Sequence, residues 1–235
     1  MKLYEECIKK VVELLEPFKA KSYDLSAFEN WPDEGKNQMI FQSDMAYELG
    51  GGTHAALSGI IVTESREWVP CDEVLLYGQD INELKTDTAY ARIAIVRIGN
   101  SEHLDSNSLH QLIRRIDYTR YHINPKGYMM RISAMNRREP VRIGKAEIKD
   151  GLSFGSAGTL FLKSYHKHPE VEAVKLIYVT LPEFPYGEVD KWLQKSEDIT
   201  KTLDHLAKKV QMDCHACSLK EVCEEVETMY AKDKK

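Results

Sequence analysis

Residues 89–98 read Ala-Tyr-Ala-Arg-Ile-Ala-Ile-Val-Arg-Ile, an apolar run interrupted only by two arginines. A short apolar run rich in β-branched residues predicts a buried β-strand. The segments that follow predict a helix near 107–122, a strand at 127–134, a helix near 154–166 and a strand at 171–180. This strand-helix-strand-helix-strand order predicts an α+β fold in which helices pack against a mixed sheet.

The region before residue 89 also carries regular patterns. An amphipathic helix is predicted over residues 2–18, with Cys7 on its apolar face. Extended segments are predicted at 38–42 and 55–64, and a short buried strand at 74–77. The first third of the chain is therefore predicted to supply further strands and one helix.

Two parts of the chain are expected from this organisation. Residues 1–187 are predicted to form the α+β domain. Residues 188–235 are predicted to form a helical tail, which begins with a helix from about 188 to 211 and ends with a cysteine-rich segment.

The predicted helix near 107–122 has two distinct faces. Its apolar residues recur at the i, i+3, i+4 and i+7 positions of one face, namely Leu109, Leu112, Ile113 and Ile116. This spacing leaves Arg114, Arg115 and Tyr118 on the outer face.

The charge of the chain is unevenly distributed. The 235 residues carry a net charge of -5, but residues 112–145 carry nine basic and two acidic side chains, a local net charge of +7. The remaining residues therefore sum to -12. A basic surface on an acidic protein favours a specific anionic ligand such as a phosphorylated cofactor, because the arginine fork matches phosphate oxygens. The alternative is a solvated face with scattered ion pairs, and the absence of a recognised nucleic-acid-binding motif argues against nucleic acid as the partner.

Three of the five cysteines, Cys214, Cys217 and Cys223, fall within ten residues of one another. A Cys-x2-Cys pair directs two thiolates at one centre, and a third can return from the first turn of a following helix. This pattern favours zinc or an iron-sulfur cluster, of the 4Fe-4S type, with the fourth position supplied by His215, Cys7 or Cys71, or left open. The alternatives are a disulfide or a set of reduced thiols.

Other motifs are weaker. The three glycines at 50–52 are not followed by a helix, and no phosphate-loop Gly-Lys-Ser or Gly-Lys-Thr ending is present. Residues 149–156 predict either an anion pocket at a helix N-terminus or an ordinary capped helix. His166 and His168 lie at the end of the predicted helix near 154–166, where they favour its dipole. Alternatively, the two histidines could bind a metal.

No stretch of the sequence is apolar and long enough to predict a membrane-spanning helix or a leader sequence. The odd cysteine count favours a reducing compartment. We therefore expect a cytoplasmic protein with no membrane partner.

Several segments in the same order resemble the β subunit of the carbon monoxide dehydrogenase/acetyl-CoA synthase complex, in the α+β domain that precedes its nickel-iron-sulfur centre. The segments are 47–51 (Tyr-Glu-Leu-Gly-Gly), 74–81 (Val-Leu-Leu-Tyr-Gly-Gln-Asp-Ile), 112–115 (Leu-Ile-Arg-Arg), 122–124 (His-Ile-Asn), 130–133 (Met-Arg-Ile-Ser), 154–157 (Phe-Gly-Ser-Ala), 174–180 and the first Cys-x2-Cys. Together they span roughly residues 45–217.

The resemblance implies a role in anaerobic one-carbon metabolism, in which acetyl-CoA is made from a methyl group, carbon monoxide and coenzyme A. It implies that Arg114, Arg115 and Arg131 line the coenzyme A side, and that Cys214 and Cys217 open the cluster motif. It also implies partners among the other subunits of such an assembly or a corrinoid protein.

The chain departs from this family at the cluster. Cys223 comes earlier than the family's third cysteine, and 214–217 (Cys-His-Ala-Cys) offers no counterpart of the Cys-Gly-Cys nickel bridge. Whether the chain is itself an acyltransferase is therefore left open by the sequence. The leading hypothesis is a carrier-binding and cluster-binding subunit, and the alternative is a non-catalytic module for assembly, metal delivery or redox sensing with the same fold.

Overall fold

The computed structural model describes residues 2–28, 31–35, 38–101, 103–132, 138–208 and 219–232. Within these residues the chain forms an α+β fold, as predicted, with one five-stranded mixed sheet, one three-stranded sheet and six α-helices. In chain order the elements are α1 (Lys2–Leu15), β1 (Lys21–Ser22), β2 (Met45–Leu49), β3 (Ala56–Thr63), β4 (Glu73–Tyr77), β5 (Tyr90–Ile98), α2 (Ser106–Tyr118), β6 (Tyr128–Met130), β7 (Val141–Gly144), α3 (Lys145–Lys149), α4 (Phe154–Tyr165), β8 (Val171–Val179), α5 (Tyr186–Lys208) and α6 (Lys220–Lys232).

The five-stranded sheet has the order β1-β4-β8-β5-β3. The apolar run predicted as a strand at 89–98 is β5, and all nine of its residues are buried. It runs parallel to β3, which forms one edge of the sheet, and antiparallel to β8. Because both faces of β5 are covered, its side chains, including Arg92, lie in the core.

The second sheet was not predicted. Its order is β2-β7-β6, and both of its strand pairs are antiparallel. The strand predicted at 127–134 is present as β6, but it pairs with β7 rather than with β5 and β8. The extended segment predicted at 38–42 joins neither sheet. The Gln38 side chain donates to the Pro125 carbonyl and accepts from the Gly127 amide.

Helices α1 and α5 cover the five-stranded sheet beside β3. Cys7, Ile8 and Val11 of α1 are fully buried, which confirms the predicted apolar face. Helix α5 packs against α1, α2 and β3. Gly59 of β3 allows this close approach, since a Cβ atom there would lie 2.6 Å from the Leu193 side chain. The helix predicted to open the tail is thus packed on the sheet domain.

Helix α4 packs against β4 and β8 and is buried along almost its whole length. Ser153 caps its N-terminus, and the Ser153 and Ser156 side chains form a capping box. Its C-terminal end lies beside a short 3₁₀ helix, Thr119–His122, that directly continues α2. This meeting of α4 with the end of α2 creates the surface described next.

Candidate anion-binding site

Helix α2 presents the predicted arginines to the surface. Asp105 caps it by accepting a hydrogen bond from the Ser108 amide at 2.7 Å. All four residues of the predicted apolar face are buried, as expected from their spacing. The side chains of Arg114 and Arg115 are 49% and 59% exposed, and Tyr118 is 52% exposed, which confirms the predicted outer face.

A groove of about 700 Å³ runs between this outer face and the C-terminal end of α4. We call it the basic groove. Its walls are basic or neutral side chains, and none of the described residues that line it is a carboxylate: His110, Gln111, Arg114, Arg115, Tyr118, Thr119, His122, Ser164, Lys167 and His168. The helix end from α4 therefore adds Lys167 and His168 to the two arginines of α2.

The arginines of the groove are only lightly neutralised. Arg115 Nη2 donates to Glu170 Oε1 at 2.7 Å, and Arg114 Nη1 lies 3.7 Å from Asp117 Oδ2. Both guanidinium groups are about half exposed, so water screens these pairs and each contributes little. Lys167 is exposed and forms no ion pair with a carboxylate of the described residues. The groove therefore keeps a net positive potential.

His168 closes one end of the groove. Its Nε2 atom lies 2.7 Å from Thr119 Oγ1, and this hydrogen bond joins the end of α4 to the end of α2. Burial lowers the pKa of His168, and the nearby Arg115 guanidinium lowers it further. The imidazole is therefore mainly neutral at pH 7.

Aromatic rings form another part of the wall. The Tyr118 ring lies 5.0 Å from the Tyr121 ring and 6.4 Å from the His122 ring, measured between centroids. Because Tyr118 is half exposed, a planar base can reach its ring for stacking. The groove therefore offers cations for phosphate and an aromatic surface for a nucleobase.

A second cavity lies beside the groove, on the neighbouring face of α2 and between α2 and α5. It has a volume of about 740 Å³, and we call it the α2–α5 cavity. Its lining includes Ser58, Gly59 and Ile60 of β3 and the polar face of α5. His110 and Arg114 line both this cavity and the basic groove, so the two spaces meet at these side chains.

The three arginines implied by the resemblance do not lie together. Arg114 and Arg115 line the basic groove, but Arg131 is not among its lining residues. Arg131 follows β6, and its Nη1 atom donates to Glu48 Oε1 at 2.8 Å. Arg142 also approaches this carboxylate, at 3.4 Å. Arg131 is thus engaged in an ion-pair network of the three-stranded sheet.

An ion pair between Arg92 and Glu139 lies in the core. Arg92 Nη2 donates to Glu139 Oε1 at 2.5 Å and to Ser58 Oγ at 2.8 Å, and the two charged side chains are only 3% and 2% exposed. The Arg92 guanidinium also lies 4.1 Å from the centre of the Phe161 ring. Burial is the largest single effect on the pKa of Arg92 and lowers it, but Glu139 together with the Tyr90, Tyr128 and Tyr165 hydroxyls outweighs burial, so the net shift is upward. Arg92 therefore stays charged and serves the fold.

The predicted anion pocket at the start of α4 is filled by the protein itself. Asp80, which is 3% exposed, accepts hydrogen bonds from the Phe154 amide at 2.9 Å and from the Tyr23 hydroxyl at 2.6 Å. Its carboxylate thus provides the negative charge that favours a helix N-terminus. The capped-helix interpretation explains this segment.

The two histidines at the end of α4 have separate partners. His166 Nε2 lies 2.8 Å from Asp72 Oδ2, whereas His168 faces Thr119. Among the residues that the structure describes, no three His, Cys, Asp or Glu side chains are grouped to hold a metal ion. The sequence predicted that these histidines lie at the end of a helix, but it did not predict that His168 and Lys167 lie beside α2.

Of the three predicted metal-binding cysteines, Cys214 and Cys217 lie outside the described residues. Cys223 lies in the first turn of α6, as expected, and is half-buried with its Sγ atom 3.6 Å from Thr202 Oγ1 on α5. Cys7 is fully buried, and desolvation raises its pKa to about 11. Cys71 is exposed in the loop before β4.

No family model matches this chain, and no curated protein matches it. None of the described helices combines the length and apolar character needed to cross a bilayer.

Proposed function

We propose that this protein is an acetyl-CoA-synthase-like subunit of one-carbon metabolism, which binds coenzyme A or a related phosphorylated carrier in the basic groove. The observation that supports this proposal is the groove itself, in which two arginines, a lysine and three histidines converge without a carboxylate in the described lining. The resemblance found in the sequence supplies the carrier's identity, and two of the three arginines it implied, Arg114 and Arg115, lie in this groove.

The chemistry of the groove fits this class of ligand. Arginine binds phosphate oxygens through two parallel hydrogen bonds, and lysine adds a compact positive charge. Arg115 of α2 and Lys167 just beyond α4 both line the groove, so both can contribute to binding a phosphate group. The exposed ring of Tyr118 can accept the adenine base by stacking.

In this proposal the groove positions an anionic carrier by electrostatics. Bond formation itself is not assigned to any described side chain. The carrier would be presented to other subunits of a carbon monoxide dehydrogenase/acetyl-CoA synthase-type assembly or to a corrinoid protein.

The test is a calorimetric titration of the purified protein with coenzyme A. We expect Arg115→Ala and Lys167→Ala each to weaken binding by about tenfold or more, since a hydrogen bond to a charged group contributes roughly 1.5–3 kcal/mol. Lys191→Ala serves as the matched control, because Lys191 is an exposed lysine of α5 outside the groove. Absence of binding by the wild-type protein, or equal affinity in all variants, would contradict the proposal.

Arg131→Ala distinguishes the resemblance from the geometry. The resemblance expects this variant to bind coenzyme A weakly, whereas the geometry expects it to bind normally, because Arg131 pairs with Glu48 outside the groove. A loss of affinity in Arg131→Ala with none in Arg115→Ala would move the carrier to the three-stranded sheet.

We further propose that Cys214, Cys217 and Cys223 hold an iron-sulfur cluster or a zinc ion. Cys223 fits as one ligand, because it is half-buried at the start of a helix and belongs to no disulfide. The buried Cys7 does not fit as a partner thiolate, given its raised pKa. When bound, a cluster would supply electron transfer and zinc would stabilise the α5–α6 connection.

The test of this second proposal is anaerobic purification followed by metal and sulfide analysis and native-state alkylation. We expect Cys223 to be protected from alkylation in metal-loaded protein and to react after chelation. Cys71 is the internal control, because it is exposed and should react in both states. Metal-free protein whose Cys223 reacts equally before and after chelation would remove the proposal.

A further inference from the structure

The α2–α5 cavity and the basic groove differ in charge although they meet. The described lining of the groove has no carboxylate, whereas the cavity has three acidic residues, Asp117, Glu197 and Asp204, opposite three basic ones, Arg114, Arg120 and Lys201. The formal charge of the cavity lining is therefore zero with its histidines neutral. A ligand that spans both spaces would meet a positive region and then a neutral one.

The charged groups of the cavity are already paired with one another. Lys201 Nζ lies 3.1 Å from Glu197 Oε1, and His110 Nδ1 lies 3.5 Å from Asp204 Oδ1. Arg120 Nε lies 3.5 Å from Asp117 Oδ1. A phosphate placed here would meet these carboxylates as well as the cations, so the cavity favours an uncharged ligand group over an anionic one.

The deep wall of the cavity suits a chain that carries both amides and methyl groups. Three apolar residues line it: Ile60 of β3, which is partly exposed, and Ile113 of α2 and Leu193 of α5, which are almost fully buried. Strand β3 is an edge strand, so the backbone of residues 58–60 in this wall has one side that pairs with no other strand of the described sheet. On this strand the Ile60 carbonyl accepts a hydrogen bond from Ser196 Oγ of α5. The volume of about 740 Å³ lies within the range of small-molecule sites, which is roughly 300–1,000 Å³.

We infer that the α2–α5 cavity receives the neutral, amide-bearing arm of the carrier, while the phosphates stay in the basic groove. This inference rests on the proposed function and adds the path of the ligand. The carrier passes between the two spaces beside His110 and Arg114, and the free end of its arm lies against β3 near Ser58.

The test compares two ligands: coenzyme A, and adenosine 3′,5′-bisphosphate, which keeps the base and two phosphate groups but lacks the arm. We expect the wild-type protein to bind coenzyme A at least about tenfold tighter, because the arm buries further apolar surface. Lys201→Trp places a large ring at the cavity and should bring the affinity ratio to about one, with the affinity for the bisphosphate changed by less than about twofold.

Lys191→Trp is the matched control. It makes the same substitution ten residues earlier on the same helix, at an exposed position outside the cavity, and should keep the wild-type ratio. An equal loss of the ratio in Lys191→Trp would overturn the inference, since the effect would not come from the cavity. An equal loss of affinity for both ligands in Lys201→Trp would also overturn it, because the phosphates would then lie in the cavity.

The two proposals fail differently. If wild-type protein binds both ligands with equal affinity, the arm lies outside the cavity and only this inference is lost. If it binds neither ligand, the proposed function is lost and this inference with it.

A second measurement needs no variant, and so covers the case in which Lys201→Trp does not fold. Hydrogen exchange of the wild-type protein should slow at residues 58–60 and 193–201 with coenzyme A but not with the bisphosphate. Equal exchange at these residues with both ligands would overturn the inference.

Discussion

Four arginines near α2 form two groups with opposite surroundings. In the inner group, Arg92 and Arg120 share Glu139 beneath the α2–α5 cavity, and Arg92 is almost completely buried. In the outer group, Arg114 and Arg115 are half exposed at the basic groove, and each lies beside one partly exposed carboxylate. The inner group holds charge that the fold itself neutralises, whereas the outer group leaves charge available to a ligand. A local net charge of +7 cannot distinguish them.

The largest expected effect comes from removing the inner carboxylate. Glu139→Gln would leave Arg92 charged in the core without its anionic partner, and we expect a loss of about 3–5 kcal/mol in the free energy of unfolding. Urea denaturation monitored by circular dichroism measures this loss.

Glu170→Gln is the matched control for this experiment. It removes the carboxylate that pairs with Arg115 in the outer group, where solvent screens the interaction, and should cost less than about 1 kcal/mol. Equal losses for the two variants would mean that the inner and outer arginines do not differ in the way we describe.

The next largest effect is expected from salt, which should weaken the interactions of the outer group more than those of the inner group. We expect the affinity for coenzyme A to fall roughly tenfold between about 50 mM and about 500 mM salt, because exposed charges are screened within a Debye length. The stability difference between wild type and Glu139→Gln should hardly change over the same range, since buried pairs are screened much less. Salt-independent binding of coenzyme A would show that the outer cations do not provide its affinity.

A smaller effect is expected from pH. An anion in the groove favours protonated His168, so binding should take up a proton and His168→Gln should weaken coenzyme A binding about threefold more at pH 6 than at pH 8. The readout is the difference between the two proteins, because the ligand phosphate titrates in the same range. His110 and His122, which also line the groove, and Arg115 and Glu170, which face His168, are unchanged in both.

The same residue affects folding with the opposite sign. The folded-state pKa of His168 lies below the ordinary value of about 6.5, so the unfolded chain takes up the proton first as the pH falls. Without ligand, His168 therefore reduces stability below about pH 6.5. A ligand-free wild type that gains stability relative to His168→Gln on acidification from pH 7 to pH 5 would contradict this assignment.

The sequence was sufficient for elements whose signal is local. The spacing of Leu109, Leu112, Ile113 and Ile116 predicted which face of α2 is buried, and the apolar run at 89–98 predicted β5. It did not reveal the second sheet, because β2, β6 and β7 are short and the pairing of β2 with β7 joins chain segments nearly a hundred residues apart.

The candidate site was also predicted only in part. Arg114 and Arg115 could be predicted from helix spacing, but Lys167 and His168 could not be placed opposite them, since the contact between Thr119 and His168 joins residues 49 positions apart. The buried pair of the inner group could have been predicted from the sequence. Arg92 lies inside the apolar run of β5 and therefore needs a buried partner, and Glu139 is one of only two acidic residues in the basic segment 112–145. Cys214 and Cys217 lie outside the described residues, so their role stays a prediction.

The smallest expected effect tests the outer group directly. Arg115→Ala should change the free energy of unfolding by no more than about 0.5 kcal/mol, because its guanidinium is half exposed and its pair with Glu170 is solvated. The same variant should weaken coenzyme A binding by about tenfold or more. A residue that matters for binding and hardly at all for stability is available to a ligand. If Arg115→Ala instead destabilises the protein by about 2 kcal/mol or more, this arginine belongs with the inner group, and the charge of the basic groove is needed by the fold.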